Sequence, residues 1–121
     1  MAFEKILVVD DSPTELDLIT ASLKKQGYQI ITAVDGEEAL AKAESERPNL
    51  IVLDVILPKK NGFQVCRQLK TAPETKDIKI LLVTSKNQET DRFWGLKQGA
   101  DEYLTKPFAE EDLMVNVAKL L

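Results

Sequence analysis

Five short apolar runs alternate with amphipathic stretches, and that alternation narrows the fold of this chain more than any other feature. The runs occupy residues 5–9, 29–33, 50–53, 79–83 and 102–104. Short runs rich in Val, Ile and Leu read as strands buried on both faces, the pattern of a parallel sheet covered by helices. The stretches between them carry helix signals. Leu16, Ile19 and Leu23 recur at helical spacing behind Ser12-Pro13, where Ser caps the helix, Pro takes its first turn and Gly27 closes it. Asp35 is the expected cap of a second helix that holds Ala39, Leu40 and Ala43 and stops before Pro48. Gly62 precedes a third helix with Val65, Cys66 and Leu69, and the last helix carries Leu113, Val117 and Leu120 or Leu121. Phe93 and Leu96 fit core packing, while Trp94 is compatible with the interior or with a partner surface near the fourth helix. Five β–α pairs with short connections predict a doubly wound parallel sheet in a single α/β domain, residues 1–121.

Asp54 breaks this pattern. It lies in an otherwise apolar stretch, residues 50–57. An ionised Asp is almost never fully buried unless paired, because stripping its water is expensive. Either something satisfies this carboxylate or it emerges at the strand's end to do chemistry. The first strand ends in two more carboxylates, Asp10 and Asp11. Three acids at the ends of two parallel strands repel one another unless a hard cation sits between them. Ligands of doubly wound sheets bind outside the carboxyl ends of the strands. Asp10 and Asp11, Asp54, Thr84 and Thr105-Lys106-Pro107 each follow a strand and so reach the same edge. The second strand ends in Val34 and Asp35, which suits a place to one side. Taken singly these residues have plainer readings: an acidic pair suits a helix N-terminus, and a lone lysine suits solvent.

Composition removes several functions. The formal net charge of −4 offers no basic footprint for nucleic acid and no cationic face for lipid, so direct nucleic-acid binding is not expected. No apolar stretch is long enough to span a membrane, and Met1-Ala2-Phe3-Glu4 lacks the charged and apolar regions of a signal peptide. A single cysteine, Cys66, excludes an internal disulfide, fits a reducing cytoplasm, and reads as a small core residue. Histidine is absent, which rules out a Ser-His-Asp triad, a Cys-His pair, a histidine metal ligand and a phosphohistidine on this chain.

The ordered set Val9-Asp10-Asp11-Ser12, Asp54 followed by Pro58 and Gly62, Thr84, and Lys106-Pro107 resembles the receiver domain of bacterial two-component response regulators. The resemblance covers essentially the whole chain. It implies the CheY-like, flavodoxin-like fold with strand order 2-1-3-4-5 and five flanking helices. It implies that Asp54 is phosphorylated by a histidine kinase with Mg²⁺ as cofactor. In that family's terms Asp11 ligates Mg²⁺ directly, Asp10 acts mainly through water, and Asp54 and the Ile56 backbone carbonyl complete the protein ligands. Lys106 pairs with the phosphoryl oxygens, the Thr84 hydroxyl moves to the phosphoryl group, and Tyr103 occupies the aromatic switch position. The Lys106–Pro107 bond is expected to be cis. The resemblance further implies a switch rather than an enzyme. Its downstream protein target meets the face of the fourth helix, fifth strand and fifth helix, and the chain is a monomer able to dimerise on phosphorylation. Ile56 and Lys86 occupy positions that modulate hydrolysis of the acyl phosphate in this family, and Ile56 is expected to shield it from water.

The stretches Asp11-Ser12-Pro13-Thr14-Glu15, Asn61-Gly62-Phe63-Gln64 and residues 87–100 look like single-domain regulators of type IV pilus chemosensory systems. Those systems govern twitching motility and, in cyanobacteria, phototaxis. An alternative is a receiver excised from a larger regulator of transcription. An aspartyl-phosphate phosphatase of the haloacid dehalogenase type needs a D-x-D motif after strand one, where this chain reads Asp10-Asp11-Ser12-Pro13. A flavin carrier on the same topology needs a phosphate loop there, and two carboxylates would repel the phosphate.

Overall fold

The computed structural model describes residues 4–121; Met1, Ala2 and Phe3, on which the leader argument partly rests, lie outside the described residues. Ten elements alternate along the chain: β1 (Lys5–Val9), α1 (Pro13–Lys25), β2 (Gln29–Ala33), α2 (Gly36–Glu46), β3 (Leu50–Leu53), α3 (Gly62–Thr71), β4 (Lys79–Thr84), α4 (Glu89–Lys97), β5 (Glu102–Thr105) and α5 (Glu110–Leu120). The strands form one sheet in the order β2-β1-β3-β4-β5. Every neighbouring pair is parallel. No helix of the described residues is long and apolar enough to cross a membrane.

The central strands β1, β3 and β4 are buried on both sides, as their continuous apolar runs require, while β2 and β5 at the edges are only partly covered. Successive strand residues point to opposite faces. Leu7 and Val9 of β1 thus join Ala39 and Ala43 of α2 and Val65, Cys66 and Leu69 of α3 on one side. Ile6 and Val8 join Ile19 and Leu23 of α1 and Leu113 and Val117 of α5 on the other. Each fully buried Val, Leu or Ile contributes about 1.5–3 kcal/mol through removal from water.

Local sequence sets the helix ends. The Ser12 hydroxyl accepts from the Glu15 N–H at 3.4 Å, and the Asp35 carboxylate accepts from the Glu38 N–H at 2.8 Å. Gly27 follows the end of α1 with φ +90°, a conformation side-chain-bearing residues rarely adopt. α2 stops where expected: Arg47 turns left-handed at φ 48°, because the Pro48 ring disfavours a helical residue before it.

Two expectations are corrected, and an open alternative is resolved. Gly62 does not precede α3 but is its first residue; Asn61 is the cap, exchanging bonds with Gln64 in a capping box. Phe93 and Leu96 are 63% and 40% exposed rather than in the core. The reason is that α4 turns only Gly95 fully inward, letting the helix lie close to Leu82 and Tyr103 while its larger apolar residues face outward. At the end of α5 it is Leu120 that packs against the core, whereas Leu121 is exposed. β4 and β5 each run one residue beyond their apolar stretch, to Thr84 and Thr105, which pair in register.

Gly62 matters to the edge where the strands end. Its N–H donates to the Val55 carbonyl at 2.8 Å, and a Cβ there would strike the Asp54 carbonyl oxygen and Val55 Cα. Both obstacles are backbone, so neither can rotate away. Gly62→Ala is therefore expected to destabilise the fold by about 1–3 kcal/mol, the usual range for overpacking. A urea titration checks this: the midpoint falls while the slope is unchanged.

Candidate functional site

The carboxyl ends of β1, β3 and β5 converge on one ammonium group. Beyond the formal strand ends the ladder continues, with Asp10 N–H donating to the Ala33 carbonyl at 3.2 Å and Asp54 N–H to the Val9 carbonyl at 3.1 Å. Both aspartates are therefore held by main chain before their side chains do anything. Each divides its carboxylate in the same way. Asp10 Oδ1 accepts from Ser12 N–H at 2.9 Å, and Asp54 Oδ1 accepts from Ile56 N–H at 3.1 Å. Their Oδ2 atoms both accept hydrogen bonds from Lys106 Nζ, at 2.7 Å for Asp10 and 3.0 Å for Asp54. A third bond runs from Lys106 to Glu15 Oε2 at 3.0 Å. Lys106 is itself positioned by its N–H, which donates to the Thr84 carbonyl at 2.8 Å. The Lys106–Pro107 bond that follows is cis.

Charge explains why these groups assemble. Asp10 is 1% exposed and Asp54 8%, and a carboxylate at such depth is costly unless it is paired. Burial opposes the charge on Lys106, but its hydrogen bonds to Asp10, Glu15 and Asp54 outweigh that and hold its pKa above the ordinary value. For Asp54 burial dominates. It raises the carboxyl above its ordinary value of 3.8, and the bonds from Lys106 and the Ile56 N–H pull it only part of the way back.

The group opens on a cleft of about 440 Å³ lined by Asp11, Glu15, Asp54, Ile56, Ser85, Lys106 and Pro107. Asp11 thus shares the cleft but with its side chain exposed, outside the carboxylates that Lys106 holds. Oxygens of Asp10, Glu15 and Asp54 lie within 4.8 Å of one another. Such hard oxygen donors suit a divalent cation of the Mg²⁺ or Ca²⁺ kind.

Glu15 was not singled out from the sequence as a site residue. Ser12-x-x-Glu15 matches a capping box, in which the Glu side chain turns back to the cap. Its backbone N–H does serve the cap, but its carboxylate reaches Lys106 instead. The available signal was its place one helical turn after Asp11.

Thr84 and Tyr103 stand behind the cleft. Thr84 is fully buried, and its hydroxyl accepts from Lys86 N–H at 3.4 Å. Tyr103 is inside as well, 4% exposed, and its hydroxyl donates to the Lys86 carbonyl at 2.7 Å. The two hydroxyls thus grip opposite sides of one loop residue. Burial, reinforced by Asp91, pushes the Tyr103 hydroxyl up to about 12, so it remains a donor. Ile56 is 55% exposed at the cleft, and Trp94 is 51% exposed on α4. The buried Cys66 thiol is pushed up to about 12 by desolvation, consistent with a core residue without thiolate chemistry.

Residues 6–118 match the response regulator receiver domain, and the chain belongs to that family. It is 46% identical over 117 residues to the protein PilH of Pseudomonas aeruginosa, covering 97% of each chain. It is 48% identical over 118 residues to the alkaline phosphatase synthesis transcriptional regulatory protein PhoP of Bacillus subtilis, of which it spans 48%. Among solved structures, the chemotaxis protein CheY4 of Vibrio cholerae superposes with TM-score 0.92 at 34% identity, covering 99% of this chain and all of that one. The receiver domain of the sensor histidine kinase PA1611 of Pseudomonas aeruginosa, with a magnesium ion coordinated in its active site cleft, superposes with TM-score 0.90 at 29% identity, covering 98% of each chain. The fold is CheY-like, and the chain is a signalling protein of a family that interacts with histidine kinases and downstream targets.

The raised carboxyl of Asp54 has a stability consequence. Folding disfavours its ionised form, so Asp54 costs stability at neutral pH, and the cost fades as pH falls through its raised folded value and vanishes below the unfolded value near 3.8. Asp54→Asn is expected to stabilise the protein at pH 7 by about 0.5–2 kcal/mol, the usual scale for relieving a strained functional site. Thermal melts from pH 7 down to pH 3 check this: the gain shrinks toward zero at the acid end.

Proposed function

We propose that Asp54 is the phosphoryl acceptor of this receiver and that its phosphorylation switches the chain's protein contacts. The observation that carries this reading is the 3.0 Å approach of Lys106 Nζ to the Asp54 carboxylate at the mouth of an acidic cleft. Phosphoryl transfer needs little covalent chemistry from a protein; it needs an aligned nucleophile and charge on the oxygens. An Asp54 oxygen forms the new O–P bond as the P–N bond of a kinase phosphohistidine breaks. The electron pair of that bond stays on the imidazole nitrogen. Lys106 moves with its charge to a phosphoryl oxygen. Asp10, Asp11, Asp54 and the Ile56 backbone carbonyl are the groups that would hold Mg²⁺, whose chemistry there is to neutralise the phosphoryl oxygens. The magnesium in the cleft of the related sensor-kinase receiver supports this choice of ion.

The shared hold on Lys86 supports a route to the surface. When the Thr84 hydroxyl turns to the phosphoryl group it releases the Lys86 N–H, and the Tyr103 anchor on the Lys86 carbonyl shifts with it. Tyr103 underlies the face of α4, β5 and α5, where Arg92 and Lys119 both pair with Glu102 at 3.1 and 2.7 Å. That face is the proposed site of the downstream target. The 46% identity to PilH supports a place in type IV pilus motility signalling. A receiver within a larger regulator of transcription is the second reading, supported by the similarity to PhoP, of which this chain spans about half. In either setting residues 1–121 act as one receiver domain in the cytoplasm, monomeric before phosphorylation.

Incubation with acetyl phosphate, read by intact mass, tests the acceptor. One phosphoryl group is expected, dependent on Mg²⁺ and absent from Asp54→Asn; uptake by the mutant contradicts the reading. Ile56 overhangs the cleft and shields the acyl phosphate from water. Ile56→Asn is expected to shorten the phosphoryl lifetime several-fold, measured as phosphate release after removal of the donor, and an unchanged rate overturns the shielding role.

A further inference from the structure

The Lys106 ammonium has three N–H donors, and three carboxylates take them all. Those acceptors are not equivalent. Asp10 and Asp54 are buried, and the second oxygen of each is fixed by a main-chain N–H. Glu15 stands in the first turn of α1 with its side chain 44% exposed, and among the described residues Lys106 is its only side-chain partner. A phosphoryl group on Asp54 trades one carboxylate oxygen for three charged acceptors, so the oxygens around this ammonium then outnumber its three donors. The carboxylate least costly to release is the one that yields. Releasing Asp10 strands a buried charge, whereas releasing Glu15 returns its carboxylate to water.

We infer that Glu15 is a positioning residue that occupies, before phosphorylation, the place on Lys106 that a phosphoryl oxygen takes afterwards. It acts on the reacting atoms only through Lys106. In the resting protein it keeps the ammonium extended over the cleft. In the phosphorylated protein it is the competitor that the phosphoryl group must displace, and it therefore lowers the stability of that state.

This inference rests on Asp54 being the phosphoryl acceptor. The test is titration of the full chain with beryllofluoride, a stable phosphoryl mimic, at saturating Mg²⁺, in the native protein, Glu15→Gln and Asp54→Asn. Removing the competitor is expected to tighten beryllofluoride binding roughly two- to fivefold in Glu15→Gln, the scale of a partly exposed ion pair. A structure of the native complex is expected to show Glu15 parted from Lys106. Unchanged or weaker binding in Glu15→Gln overturns the inference. So does a complex in which the Glu15–Lys106 pair persists at its present 3.0 Å, since removal of a nearby charge alone would then explain any gain. Asp54→Asn separates the two readings: native binding that this variant abolishes, with no Glu15 effect, removes the inference and leaves the acceptor in place. Absence of binding by the native protein, or its survival in Asp54→Asn, overturns the reading of the acceptor itself.

Discussion

A single ammonium, Lys106 Nζ, makes the carboxyl edge of this sheet tolerable. Asp10 and Asp54 are carried into near-complete burial by strands that the core requires to be apolar on both sides. Two ionised carboxylates at that depth would each cost several kcal/mol if left without a partner. Lys106 reaches both and adds Glu15 from α1, drawing the ends of three elements and the start of a fourth onto one point. The compensation is incomplete. Three carboxylates share one ammonium, and burial still raises the Asp54 carboxyl above its ordinary value. The cleft is left with excess negative charge, which a divalent cation would relieve. That unrelieved charge is the physical link between the fold and phosphoryl chemistry.

The rest of the architecture serves the placing of these groups. Parallel strands β1 and β3 are adjacent in the sheet, so their successors Asp10 and Asp54 are neighbours without any special loop. The loop after β3 lies close because Gly62 lets α3 begin against the Asp54 main chain. On the far side, β4 and β5 extend to Thr84 and Thr105, which sets Lys106 against the Thr84 carbonyl. Thr84 and Tyr103 then meet at Lys86, one through its N–H and the other through its carbonyl. Lys86 is thus the one loop residue held from both the cleft side and the β5 side. The outward Phe93 and Trp94 are consistent with a helix whose inner contact is a glycine.

What the sequence made legible followed from strong local physics. Unbroken apolar runs identify the strands to within a residue, and capping residues locate the starts of α1 and α2. Asp54 stood out because no apolar strand carries a carboxylate without cause, and family resemblance supplied the strand order that periodicity could not. The misses were all matters of direction in space. Phe93 and Leu96 looked like core because their hydrophobicity is visible in sequence, whereas the close approach of Gly95 to Tyr103 is not. Gly62 was expected to precede α3 and is instead its first residue, required there by close packing. Glu15 drew no reading as a site residue, and only the folded chain shows its carboxylate on a lysine 91 residues away. Asp11 belongs to the cleft but not to the carboxylates that Lys106 gathers, a distinction that adjacency to Asp10 could not reveal.

The central claim is that, of the acids at this edge, Asp54 alone is presented to a phosphoryl donor. Borohydride reduction tests it residue by residue, because it converts an acyl phosphate on Asp to homoserine. The protein is phosphorylated from acetyl phosphate in the presence of Mg²⁺, reduced, digested and mapped by peptide mass. The account predicts homoserine at position 54 and an unaltered carboxylate at Asp10, Asp11 and Glu15. Reduction at any of those three, or none at position 54 in protein that has gained a phosphoryl group, would contradict it.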